Sequence, residues 1–177
     1  MNSTARRWMY AGIVVSSVAA DQLVKHWARV DLAVRPGGTL PVIQDIFHFT
    51  YAENTGAAFS ILQNQRWLFV ILAGVLTLAL SYALWFRKKE METPWGVLLS
   101  LVLGGAIGNA IDRAARGFVV DMFEVRAINF AIFNVADICL VCGCIAMCAW
   151  VFYTDIRERR KKKDEAKEDE DAEEDHA

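Results

Sequence analysis

Asp121 and Asp137 are the residues of this 177-residue chain whose surroundings point most directly to chemistry. Asp137 sits in the apolar run 134–153, between Ala136 and Ile138, with no Lys or Arg within four positions. Asp121 is set in Phe118-Val119-Val120-Asp121-Met122-Phe123. Burying a carboxylate without a counter-charge is costly, so such a group is a functional candidate by default. Two carboxylates held together suit general acid–base hydrolysis. Both cannot ionise readily at close range, so one keeps a proton while the other activates water, and the pair titrates as a unit. Spacing alone does not say that the two meet in space.

Other polar groups gather in the same parts of the chain. Asp21 and Lys25 are four apart; Asn109, Asp112 and Arg113 share a helical face, with Arg116 four beyond Asp112. Asn134 and Asp137 are three apart, and Asn54 follows a strand-like segment. The Asn amides and Arg113 could hold a peptide backbone and orient the carboxylates. Asp112–Arg116 reads as a helix-end ion pair, and Lys25 reads equally as a site residue or a snorkelling cation.

Rival chemistries have weaker support. His26, His48 and His176 are isolated, read as surface or interfacial, and form no metal-binding pair. There is no Gly-x-Ser-x-Gly, and Ser60 has no evident base. Cys139, Cys142, Cys144 and Cys148 fall on several faces of one apolar segment and read as packing residues. Gly104-x-x-x-Gly108 favours close helix contact without specifying a function.

The elements that must carry these residues follow from the apolar pattern. The chain is 55% apolar and 23% charged, with a mean hydropathy of +0.25. Its net charge of −2 divides into about −4 beyond residue 154 and about +2 before it. This composition excludes a disordered chain, a collagen and a disulfide scaffold, and disfavours a nucleic-acid binder. Apolar stretches at 67–86, 95–113 and 133–153 are long enough to cross a bilayer, with Trp67, Trp85, Trp95, Trp150 and Tyr153 at their ends. Residues 8–27 could form a further span. The same stretch, with Arg6-Arg7 before a short apolar core, also fits a cleaved signal peptide.

Arg6, Arg7, the 87–89 cluster and the 157–163 cluster place both termini in the cytoplasm and 28–66 and 112–132 outside. On that topology every polar candidate named above comes to the outer surface. Alternation of Phe47, Phe49 and Tyr51 with polar or small residues marks a β element over about 38–62. The predicted fold is therefore an all-α integral membrane domain over 1–156, with four transmembrane helices and a small extracytoplasmic β element. Residues 157–177 read as a basic, then acidic, disordered cytoplasmic tail. A proton-coupled carrier would spread polar groups across the bilayer rather than crowd them at one face, and a non-enzymatic scaffold would tolerate Asn at positions 121 and 137.

Assembled in order, these motifs resemble the lipoprotein signal peptidases, the type II signal peptidases of bacterial cytoplasmic membranes. The resemblance rests on Asp21-Gln22-x-x-Lys25, Glu53-Asn54-Thr55-Gly56-Ala57-Ala58-Phe59 and the stretch from Gly104 to Arg113. Val119-Val120-Asp121 and Phe133-Asn134-Val135-Ala136-Asp137 complete it. It implies an aspartic endopeptidase with a catalytic dyad of Asp121 and Asp137 that needs no metal or other cofactor. The implied substrate is a diacylglyceryl-modified prolipoprotein, cleaved just before the lipidated cysteine, with membrane lipid around it. The implied site partners are Asp21, Lys25, Asn54, Gly56, Gly108, Asn109, Arg113, Asn134 and Ala136. The resemblance further implies retention of the first helix, a monomer without nucleic-acid partners, inhibition by globomycin-type peptides, and an inner-membrane location. It offers no role for the tail, whose basic part suits anionic lipid.

Overall fold

The structure, a computed structural model, describes residues 2–56, 65–86 and 93–174. Helix α1 spans Ser3–Trp27, and its first turn is capped by Asn2, whose side chain accepts from the Ala5 amide at 2.8 Å. It continues through a π-helical turn, Ala28–Leu32. Strands β1, Thr39–Ile43, and β2, Phe47–Asn54, follow. Helices α2, Arg66–Phe86, and α3, Thr93–Arg116, come next, then β3, Val119–Val125, and finally α4, Val135–Glu174.

Two compact units are present, residues 1–143 and 144–177. The first holds α1, α2, α3, the sheet and the opening turns of α4. Its centre is α3, which buries Ser100, Asn109 and Asp112 together with Val102, Leu103 and Ala106. Small residues make that burial possible. A Cβ on Gly104 would lie 2.7 Å from the Ser17 Cβ, and one on Gly108 would lie 2.5 Å from Asp21 Oδ2. A side chain on Gly105 would strike the Ala136 carbonyl. The Gly104-x-x-x-Gly108 stripe thus brings both α1 and the start of α4 against α3. Gly117, at φ 87, donates its N–H to the Arg113 carbonyl and closes α3.

The three strands form one antiparallel sheet in the order β1-β2-β3. Asp121 pairs with Ala52 and Asn54 with Val119, with an irregularity between Phe49 and Ala52. The sheet rests on the extension of α1, where Ala28, Leu32, Val120 and Met122 make a buried cluster and Trp27 meets Phe49 edge-on at 5.3 Å. The second unit is the remainder of α4.

Several expectations shift. The β element is not confined to 38–62: β3 comes from the α3–α4 connection, and residues 57–62 lie outside those described. β3 carries four consecutive buried residues, Val119 to Met122, so it lacks the alternation that marks a half-solvated strand. Helix α4 starts at Val135 because Phe133 pairs with Phe123 as an isolated bridge. The backbone of α4 is helical from Val135 through Glu174. Opposite charges four residues apart favour this, as in the Arg159–Asp155 pair at 2.9 Å. His48 is buried rather than superficial, with Nδ1 3.3 Å from the Thr39 hydroxyl. Among the described residues, three helical stretches are long and apolar enough to cross a membrane: Trp67–Phe86, Thr93–Arg116 and Val135–Lys163.

Candidate active site

The site begins with the way α4 starts. Asn134 stands just before the helix and its Oδ1 accepts the Asp137 amide at 2.9 Å. In return, Asp137 Oδ2 accepts the Asn134 amide at 3.2 Å. This reciprocal cap fixes the Asp137 carboxylate by the same bonds that end the helix. The two hydrogens of the Asn134 side-chain amide go elsewhere, one to Asp121 Oδ1 at 2.6 Å and one to Asn109 Oδ1 at 3.2 Å. Asn134 is fully buried and ties both carboxylates to one residue.

Asp121 is held from the sheet side as well. Asn54, at the end of β2, donates Nδ2 to Asp121 Oδ2 at 3.1 Å while its Oδ1 accepts the Gly56 amide at 3.0 Å. The Gly56 carbonyl accepts from Arg113 at 2.9 Å, and the Arg113 guanidinium lies 4.8 Å from the Phe69 ring centroid. Asp137 receives Asn109 Nδ2 at 2.8 Å on its other oxygen.

Beneath the carboxylates lies a closed ionic layer. Lys25, 0% exposed, gives its three N–H donors to Asp21 at 2.9 Å, Asn109 at 2.9 Å and Asp112 at 3.2 Å. Asp112 also pairs with Arg116 and accepts the Val120 amide at 3.1 Å. Asp21 accepts the Ala136 amide at 2.9 Å. Lys25, Arg116, Asp21 and Asp112 balance in charge, which makes their burial tolerable. The layer also orients the site. Because Asn109 turns its carbonyl oxygen to Lys25, its NH2 must face Asp137. Lys25 and Asn134 together hold the Asn109 carbonyl oxygen and so fix which way its amide faces.

A cavity of about 360 Å3 opens above this layer. Asn54, Asn109, Arg113, Asp121 and Asp137 line its polar end; Phe133, Ile138 and Val141 are among the apolar residues that line the rest. The Asp121 carboxyl is pushed up from its usual 3.8 to about 7, first by burial and then by the negative charge of Asp137, against the donors Asn134 and Asn54 and the Lys25 charge. A buried carboxyl that holds its proton near neutrality, beside a second carboxylate in one cavity, is equipped for acid–base chemistry on a bound amide.

The candidate residues thus separate into two groups. Asp121, Asp137, Asn54, Asn109 and Arg113 meet at the cavity. Asp21, Lys25, Gly108, Asn134 and Ala136 lie in the supporting layer, and Gly56 anchors Arg113. Ala57, Ala58 and Phe59 of the motif after β2 lie outside the described residues. Two residues named in the sequence, Gln22 within its motif and Asp112 as the partner of Arg116, contribute more than was read from it. Gln22 bridges Asp21, the Gly108 carbonyl and Asp112 at 3.1, 3.2 and 3.3 Å, and Asp112 serves Lys25 as well as Arg116. Their signal was position: both share a helix with residues already singled out. Cys142, read as packing, lines the cavity, and all four cysteines are free.

The chain is similar to known proteins over most of its length. Residues 13–153 match the family model described as signal peptidase (SPase) II. A lipoprotein signal peptidase of Clostridioides difficile (strain 630) is 39% identical over 151 residues, covering 85% of this chain and 99% of its own length. One from Streptococcus pneumoniae (strain ATCC BAA-255 / R6) is 43% identical over 144 residues, covering 80% and 91%. A solved structure described as a bacterial membrane enzyme, determined by the in meso method, superposes with a TM-score of 0.74 at 31% identity, over 82% of this chain and 88% of that one.

Proposed function

The chain belongs to the signal peptidase II family, and from that premise we propose that it is a membrane aspartic endopeptidase acting through Asp121 and Asp137. It removes the signal peptide from prolipoproteins. The finer reading is that its substrates are diacylglyceryl-modified and are cut just before the lipidated cysteine. The observation that carries the proposal is the junction of Asp121 and Asp137 on Asn134, at the polar end of a cavity whose remaining wall is apolar. A substrate with a peptide at one end and acyl chains at the other has the matching division of polarity.

In this mechanism the protonated carboxyl gives its proton to the leaving amine while the ionised one takes a proton from the attacking water. Asp121, raised to about 7, suits the first role, and Asp137, held by Asn109 and its own helix cap, suits the second. Asn54 and Arg113 lie where they can hold the scissile peptide and balance developing charge.

We further infer that α1 is a fourth span. Asp21 and Lys25 lower its apparent hydropathy, yet both are buried against α3 and α4 and do not meet lipid. With α1 counted, the basic clusters support cytoplasmic termini and an active site at the outer face of the inner membrane. The test is cleavage of a synthetic diacylated prolipoprotein by the purified chain, with and without globomycin. Asp121→Asn and Asp137→Asn are expected to fold and not to cleave. Full activity in Asp137→Asn overturns the proposal.

A further inference from the structure

A second opening lies in the helical unit, at the end of α1 away from Lys25. It is a groove of about 260 Å3 between α1, α2 and α3, walled by Tyr10, Val14, Leu84, Leu103 and Ile107. Arg7 also lines it, with its guanidinium carbon 4.8 Å from the centroid of the Trp85 ring. The Arg7 Nε is shut off from solvent and has no hydrogen-bond partner among the described residues.

These features describe a ligand. A guanidinium that lines an otherwise apolar groove, with its Nε unpaired among the described residues, favours an anionic oxygen as partner for the rest of the group. The indole face steadies the cation but accepts no conventional hydrogen bond. Directly beside the charge, the walls turn apolar. From residue 7 to residue 15 α1 rises about 12 Å, enough to accommodate a stretch of hydrocarbon chain. Arg6 adds a second positive charge at the same end. On the proposed topology this end faces the cytoplasmic leaflet, where anionic headgroups gather and basic pockets between spanning helices bind them.

We propose that this groove binds an anionic phospholipid of the inner leaflet. Its phosphate accepts from the Arg7 guanidinium, and one acyl chain lies against Val14, Leu103 and Ile107. The lipid joins α1 to α2 at a place remote from Asp121 and Asp137, so cleavage does not pass through it.

The test uses the full chain purified in detergent and titrated with phosphatidylglycerol, phosphatidylcholine or sodium phosphate. Native mass spectrometry and thermal unfolding supply the readouts. Phosphatidylglycerol is expected to be retained as a one-to-one adduct, to raise Tm, and to bind about tenfold more tightly than phosphatidylcholine. Arg7→Gln should erase that preference and Arg6→Gln should keep most of it, whereas Leu103→Trp should weaken both lipids by filling the groove. If Arg7→Gln does not fold, a photoactivatable phosphatidylglycerol on the unaltered chain decides the matter, with crosslinks expected within 7–15 and 81–85. Equal retention of the two lipids, a preference that survives Arg7→Gln, or crosslinks confined elsewhere overturns the proposal. Stabilisation by phosphate alone equal to that by phosphatidylglycerol overturns the lipid assignment.

Discussion

Asn134 ties the two carboxylates to one residue: it caps α4, holds Asp121 and meets Asn109. Because the Asp121 carboxyl is raised from 3.8 to about 7 on folding, the folded chain keeps a proton there that the unfolded chain has released. Stability linked to this group is therefore greatest at low pH, falls between about 4 and 7, and stays reduced above that. Thermal unfolding at pH 5 and pH 8 should register this slope, and Asp121→Asn should flatten it. Activity has the same origin, so kcat/KM should fall on the alkaline side with an apparent pKa near 7, as the dyad loses its one proton; a rate flat from pH 6 to pH 9 would exclude Asp121 as the acid. Lys25→Met strands Asp21 and Asp112 without their shared cation, at a cost of about 3–5 kcal/mol. It also removes one of the two donors that hold the Asn109 carbonyl oxygen, so Tm and cleavage should drop together. The individual carboxylates were legible in the sequence from their apolar flanks. Their meeting was not, because it depends on two amides, Asn109 and Asn134, whose rotamers are set by tertiary contacts.

At the scale of elements, glycine positions decide how closely helices approach. Gly108→Ala puts a methyl 2.5 Å from Asp21 Oδ2 and 3.2 Å from the Ala136 Cβ. This should destabilise by about 1–3 kcal/mol and depress cleavage by displacing α1 from α4. Gly74→Ala, whose added methyl meets nothing within 4 Å, should leave Tm unchanged or slightly raised; equal losses in the two variants would remove the packing argument. The long apolar helices were readable because twenty uncharged residues admit few alternatives. Strand β3 was not, because a short, continuously apolar segment has no period to distinguish it. The first helix was ambiguous for a related reason: its charges look solvent-facing until their partners on α3 are known.

For the whole molecule, the family match ends at residue 153, and among the described residues the cavity lining ends at Cys142. Removing residues 157–177 should therefore leave kcat and KM for a synthetic diacylated substrate within about twofold in detergent; a larger loss would give the tail a catalytic role. The overall class was visible in composition alone, because 55% apolar residues gathered in long uncharged stretches leave few alternatives to membrane helices. The dependence of Asp137 on the first turn of α4 has a consequence for how the protein is made. Of the helices that carry the site, α4 is the last to leave the ribosome, and its opening turn must reach Asp21 on the first. A nascent chain with α1 to α3 already inserted thus holds Asp121 but no partner for it. On the proposed mechanism, proteolytic competence therefore arrives only when the opening turn of α4 has docked.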